Sequence, residues 1–251
     1  MKEKRLQQLE DYIHSVGTVS LDELCEYFNV SKNTIRRDVN QILEKGTVQK
    51  VYGGVTSVTP ALIRFENRDH TNHAEKVKIG KQAATFVKDQ DLIFIDSGTT
   101  TRNIIEFLSS SQQLTILTNS LDVINAAVAF ENITLITIGN RYKRKTKSFV
   151  SIDDLHMLDK YNISKAFMAA TGVSIAHGLT NSDILEYEIK KRISEKAQTL
   201  YLLADASKFG KSTQLTYAPL QEVDVLITSG TLSEEYHSFC REHRIELYLC
   251  K

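Results

Sequence analysis

Between Asp91 and Leu249 the chain alternates short apolar runs with stretches of helical spacing, and this alternation constrains the fold more than any other feature. The runs Asp91–Asp96, Leu114–Leu117, Ile133–Ile138, Ala166–Ala170, Thr199–Ala204, Val223–Thr228 and Ile245–Leu249 are four to six residues long, the length of buried strands. Helical spacing fills Ala74–Lys88, the stretches running to about Leu108 and to Phe130, and the segments near Ser182–Lys196 and Ser233–His243. Strands that are apolar on both faces and separated by helices specify an α/β fold with a mostly parallel sheet covered on both sides. With 251 residues, 41% of them hydrophobic, the chain can bury a core of that size. The longest unbroken apolar stretches are short, such as Leu92–Ile95 and Ala126–Phe130, far below the roughly 20 residues that span a bilayer. The N-terminus mixes acids with bases and has no apolar centre, unlike a signal peptide. Three cysteines, Cys25, Cys240 and Cys250, suit a reducing compartment rather than a disulfide framework. These features read as cytoplasmic, with no membrane partner.

The first sixty residues follow another rhythm. Leu6, Leu9, Tyr12, Ile13 and Val16 predict one helix, stopped by Gly17. Ser20-Leu-Asp-Glu23 is a capping box that opens a second, short helix with Leu21, Leu24 and Phe28 inward. Asn29 ends it, and Ser31 caps a third helix that buries Ile35, Val39 and Ile42 and ends at Gly46. Thr47–Val51 and Val55–Val58 then read as a hairpin around Tyr52-Gly-Gly54. Three helices and a hairpin in this order are a winged helix-turn-helix.

The total charge is neutral, 31 bases against 31 acids, so any nucleic-acid footprint has to be local. The third helix supplies one. Its face opposite the core shows Lys32, Asn33, Arg36, Arg37 and Asn40, residue types that grip phosphate or read base edges. Ser31 and Thr34 lie at its start, where backbone amides favour phosphate, and from Ser31 to Lys50 there are five bases and two acids. Ser20, Lys50 and the wing-tip Tyr52 complete the expected DNA-binding set.

The phrase Thr34-Ile-Arg-Arg-Asp38 followed by Tyr52-Gly-Gly54 resembles the N-terminal module of the DeoR family of bacterial repressors. The resemblance continues through Glu75-Lys76, Asp96-Ser-Gly-Thr-Thr100, Thr118-Asn119, Gly178-Leu-Thr180 and Asp205-Ala-Ser-Lys-Phe-Gly210, so it covers nearly the whole chain. The blocks DLIFIDSGTTT, LTNSLDVINAA and LTNSDILEYEIKKRISEKA narrow it to regulators of inositol catabolism. The resemblance implies a DNA-binding module over residues 1–58, a linker over 59–72 and, over 73–251, a Rossmann-like sensor domain of sugar-phosphate-isomerase type. The implied partners are double-stranded operator DNA, a phosphorylated sugar or keto sugar acid as effector, and further copies of the chain as a dimer or tetramer. No cofactor, metal or catalytic residue is implied. Carried over by motif, the effector set is Asp96, Ser97, Gly98, Thr99, Thr100 and Thr101 in the first loop, Asn119 in the second, and Lys208, Phe209 and Gly210 in the third.

Read without the resemblance, Ser97-Gly-Thr-Thr-Thr101 between a strand and a helix is either an oxyanion cradle or an ordinary capped turn. Family members commonly carry two glycines after the third strand. Here Gly139-Asn140 stands there, with Asn able to take left-handed geometry. Arg141–Lys147, five bases in seven residues, reads as a solvated loop or an extra anion site. Cys240 and His243 have a ligand-like spacing without a second pair. Two rival functions remain open at this level: an activator of the same family, and an isomerase using Asp96, Glu188 and Lys208.

Overall fold

The structure, a computed structural model, describes residues 2–16, 18–57, 65–151 and 155–251. The chain forms two compact units, Met1–His70 and Thr71–Lys251. Gly17, the expected helix stop, and residues 58–64, which hold the end of the second hairpin strand and much of the expected linker, lie outside the described residues.

In the first unit the elements are α1 (Lys2–Val16), β1 (Thr18–Ser20), α2 (Leu21–Phe28), α3 (Lys32–Leu43), β2 (Val48–Val51), β3 (Gly54–Ser57) and α4 (Phe65–His70). Ser20 and Glu23 form the capping box, and Asn29 closes α2 in left-handed geometry at φ 49°. Leu9, Ile13, Leu24, Ile35, Val39 and Ile42 from the three long helices meet Val19, Val48 and Val55 in one buried core. The hairpin is joined by β1, which sequence reading does not anticipate, in the antiparallel order β1-β3-β2. Gly54 is required by that third strand: a Cβ there would lie 2.1 Å from the Val19 carbonyl oxygen. The helix α4 occupies Phe65–His70, inside the stretch read as linker.

The second unit contains α5 (His73–Ala84), β4 (Leu92–Ile95), β5 (Leu114–Thr118), α6 (Leu121–Ala127), β6 (Ile133–Thr137), β7 (Arg141–Lys143), β8 (Ser148–Val150), β9 (Lys165–Met168), β10 (Gly172–Ser174), β11 (Gly178–Asn181), α7 (Ile184–Lys196), β12 (Thr199–Ala204), β13 (Leu215–Ala218), β14 (Val225–Ser229), α8 (Glu234–Glu242) and β15 (Glu246–Cys250). Seven strands form one parallel sheet in the order β15-β14-β12-β9-β4-β5-β6. Alternate residues feed two cores. Phe94, Ala166, Met168, Leu200, Leu202 and Leu226 pack on one face with Ile189, Ile193 and Cys240. Ile93, Ile95, Phe167, Leu203 and Ile227 pack on the other with Ile79, Ala83, Ile104 and Val123. Burial on both faces is why these strands read as continuous apolar runs. Beside the main sheet lie a small antiparallel sheet, β10-β11-β13, and the hairpin β7-β8. No helix among the described residues is long and apolar enough to cross a membrane.

Candidate functional site

In the first unit α3 is an exposed helix on a fully packed base. Ser31 caps it, its hydroxyl accepting from the Thr34 amide and bonding the Thr34 hydroxyl at 2.9 Å. Lys32, Asn33, Arg36, Arg37 and Asn40 are exposed and Thr34 half-exposed, whereas Ile35, Asp38, Val39 and Ile42 are buried. Asp38 is the residue on this helix that its charge hides. It is counted as a surface acid in the sequence but faces inward and accepts from Arg5 Nε at 2.7 Å. Removing it from the surface raises the positive excess of the exposed face. Arg36 and Asn40 line a groove of about 300 Å³ whose other wall is the hairpin, with Lys50, Val51, Gly53 and Gly54. Tyr52 at the wing tip is fully exposed. Lys32 pairs with Asp22 at 2.5 Å, and Ser20 holds the Glu23 amide at 3.1 Å, so both serve local structure as well as the surface.

In the second unit the sheet order brings the three expected loops to one edge. The strands β12, β9, β4 and β5 are adjacent and parallel, so Asp205, Ala169, Asp96 and Asn119 all follow carboxyl ends, where open α/β sheets bind ligands. The strands β12 and β4 are two places apart, roughly 10 Å at ordinary strand spacing. Ser97, Thr99 and Thr100 are almost covered. Gly98 fits because a Cβ there would lie 2.3 Å from Ala169 Cβ. Lys208, half-exposed, follows Asp205. Burial opposes the charge of Asp205, but Lys208, the Ser207 hydrogen bond, Lys76 and the Asn72 amide together hold its carboxyl below the usual range.

Several of the residues expected at the effector site also make bonds within the protein. Asp96 is fully buried. Its Oδ1 accepts from the Ser97 amide at 2.8 Å, and its Oδ2 accepts from the Ala169 amide at 2.9 Å and from Lys190 Nζ. Both oxygens are engaged by the protein, so Asp96 positions the loop. Thr101 Oγ1 donates to the Asp96 carbonyl at 2.7 Å, and Asn103 Nδ2 donates to the Thr99 and Thr100 carbonyls. The segment Thr101–Phe107 is a 3-10 helix in place of the helix expected to run to about Leu108. Phe209 packs edge-on against Tyr236, and the Gly210 amide donates to the Tyr236 hydroxyl at 2.8 Å, so the third loop is anchored there, with Lys208 half-exposed beside Asp205. At the altered glycine pair the left-handed residue is Gly139, at φ 92°, and Asn140 is not left-handed. The basic run is a hairpin rather than a loop: Lys143 pairs with Asp183 and Lys147 lies 3.8 Å from Asp122, while Arg141, Arg144 and Lys145 are exposed. Cys240 is buried in the core and His243 stacks on Phe239. No group of three or more His, Cys, Asp or Glu among the described residues is placed to hold a metal.

The sequence pattern of the DeoR-like helix-turn-helix domain matches residues 5–61, and that of the DeoR C-terminal sensor domain matches residues 71–230. The chain belongs to the DeoR family of transcriptional regulators. It is 62% identical over 250 residues to the HTH-type transcriptional regulator IolR of Bacillus subtilis, covering 99% of this chain and all of that one. It is 26% identical over 241 residues to the glycerol-3-phosphate regulon repressor of Escherichia coli, covering 96% of each. Among solved structures it resembles ribose 5-phosphate isomerase A from Methanocaldococcus jannaschii, with 23% identity, a TM-score of 0.42 and 55% of each chain covered.

The sequence of this DeoR-family chain reveals the helix near Ser182–Lys196, observed as α7 over Ile184–Lys196, but not the buried charged pair that the helix carries. Glu186 and Lys190 are buried, one turn apart on α7, on the same side as Ile189 and Ile193. Lys190 Nζ bonds Asp96 and the Ala169 carbonyl and lies 5.3 Å over the Tyr217 ring. Glu186 accepts from Ser148 Oγ at 2.6 Å and Asn181 Nδ2 at 3.3 Å. The signal was available, since a charged pair at i, i+4 inside an apolar stripe is a buried charge with a task.

Proposed function

We propose that this protein is a cytoplasmic, homo-oligomeric repressor of a carbohydrate-catabolic operon, that of inositol catabolism, released from its operator by a phosphorylated pathway intermediate. The observation that carries the reading is the shared groove of α3 and the wing, in which Arg36, Asn40 and Lys50 converge on exposed backbone of the hairpin. Such a surface takes double-stranded DNA: arginine and asparagine read purine edges, and lysine holds phosphate. One such module reads too short a site for genomic specificity, so copies act together as a dimer or tetramer. Residues 1–58 bind DNA and residues 73–251 sense the effector, a phosphorylated sugar or keto sugar acid. The hydroxyls and amides of Ser97–Thr101 receive its phosphate, and Lys208 is the counter-charge. The 62% identity with the HTH-type transcriptional regulator IolR over nearly the whole chain supports a regulator of this kind. The blocks DLIFIDSGTTT, LTNSLDVINAA and LTNSDILEYEIKKRISEKA support the inositol operon, and the repressors among the relatives, found beside an L-fucose operon activator, support the sign of regulation.

The mechanism is linkage. The effector binds better to a conformation in which the paired DNA modules no longer fit the operator, and operator and effector weaken each other by one common factor. An enzyme is disfavoured, because Asp96 has both oxygens engaged and Glu188 is exposed. A gel shift on DNA upstream of the neighbouring operon, with and without phosphorylated keto sugar acids, tests the reading. Retarded DNA that is released by ligand is expected. Thr99→Val and Lys208→Ala keep the DNA retarded at ligand concentrations that release the wild type, because a ligand that cannot bind cannot shift the balance. No retardation, or ligand-stimulated binding, would contradict a repressor.

A further inference from the structure

The Asn119 side chain is almost wholly buried, and its Nδ2 donates to the Phe149 carbonyl at 3.3 Å. Its Oδ1 is buried and has no hydrogen-bond partner among the described residues. A buried amide oxygen without a donor is costly and rare enough to need a reason. Close by, Glu186 is a buried carboxylate with no ion-pair partner among the described residues. Ser148 and Asn181 give it two hydrogen bonds, half of what an ionised carboxylate can accept. It lies in the first turn of α7, after the Asp183 cap.

The two groups meet at β8. Ser148 donates to Glu186, while Phe149 exchanges hydrogen bonds with Asn119. Ser120 pairs with Ser148 across an isolated bridge. One acceptor without a donor, Asn119 Oδ1, and one carboxylate with acceptor capacity to spare, Glu186, are therefore tied to adjacent residues of one strand, beside the loop that follows β5. A phosphate is excluded there, because it brings negative charge and acceptors to a carboxylate. A hydroxyl brings the missing donor.

We propose that Glu186 and Asn119 form the hydroxyl-reading end of the effector site and receive two hydroxyl groups of a phosphorylated polyhydroxy ligand whose phosphate lies at Ser97–Thr101 and Lys208. This rests on reading the crevice as the effector site. It adds a specificity residue, Glu186, and divides the ligand into a phosphate end and a hydroxyl end.

The test is release of labelled operator from the full chain by a panel of hexose phosphates, hexonate phosphates, keto-hexonate phosphates and inositol monophosphates. For the panel member that releases the wild type, Glu186→Gln and Asn119→Ala are expected to raise the midpoint about tenfold, the loss of one charge-assisted or buried hydrogen bond. Deoxy analogues of that ligand give a readout that structural damage would not move. Deleting the hydroxyl read by Glu186 weakens release from the wild type and leaves Glu186→Gln unchanged. Wild-type midpoints in both variants, or an undiminished deoxy penalty in both, would overturn the proposal while leaving the effector site standing. If no panel member releases the wild type, the effector reading itself fails and this proposal with it. Should Glu186→Gln fail to give a cooperative thermal transition, Asn119→Ala with its own deoxy analogue decides.

Discussion

Arg36 and Arg37 stand on the exposed side of a helix whose other side is filled by Ile35, Val39 and Ile42. Truncating either one opens no cavity and, on the proposed function, removes a DNA contact. Arg36→Ala and Arg37→Ala are therefore expected to keep the wild-type Tm and to weaken operator binding. A lost base-edge contact costs roughly 1–3 kcal/mol, and a lost phosphate contact lowers the salt slope by about one. Fluorescence anisotropy at several salt concentrations separates the two, and wild-type affinity with wild-type slope in both variants would remove α3 from the interface. Asp205 gives a pH prediction. Its carboxyl titrates below the ordinary range because Lys208, Ser207, Lys76 and Asn72 outweigh the effect of burial. A depressed folded-state value means that its contribution is present above the unfolded value, near pH 4, and is lost as pH falls through the folded one. Asp205→Asn is expected to lower Tm at pH 7 and to flatten the fall of Tm below about pH 4. An unchanged profile of Tm against pH would contradict that pairing. At this scale the sequence showed which side chains are polar on α3. It could not show that Asp38 turns inward to Arg5, because the partner lies thirty-three residues away.

The elements differ in how legible they were, for physical reasons. The third helix could be read from its cap and its apolar stripe, and the long parallel strands from their unbroken apolar runs. The strands β1, β7, β8 and β10 have only three residues each, too few for a period of two to register. Without β8 the partner of Glu186 is invisible, and without the register of β9 beside β4 the pairing of Lys190 with Asp96 is too. The helix α7 ties these parts together. Lys190 is its buried link to the first loop, so Lys190→Met leaves Asp96 buried without its cation. Breaking a buried pair in this way is expected to cost roughly 3–5 kcal/mol in urea unfolding, with part of the loss recovered when Asp96→Asn is added. A loss below about 1 kcal/mol, the range of exposed pairs, would show that the pair is not buried in solution.

For the molecule as a whole, the division at His70 and Thr71 predicts separable parts. Each unit has its own core among the described residues, a cluster of nine buried apolar side chains in the first and two larger clusters in the second. A fragment beginning at Asn72 is expected to unfold cooperatively, to sediment as an oligomer and to bind the phosphorylated effector, but to leave operator DNA unbound. A monomeric fragment would move the oligomer seat to the first unit. On the proposed function one chain couples the two binding events, and linkage makes that coupling quantitative. Calorimetric titration of the releasing phosphorylated keto sugar acid into the protein, alone and saturated with operator, measures the coupling from the ligand side. The ligand is expected to bind more weakly to the operator complex, by the same factor by which it weakens operator binding. Equal ligand affinity with and without operator would contradict the account.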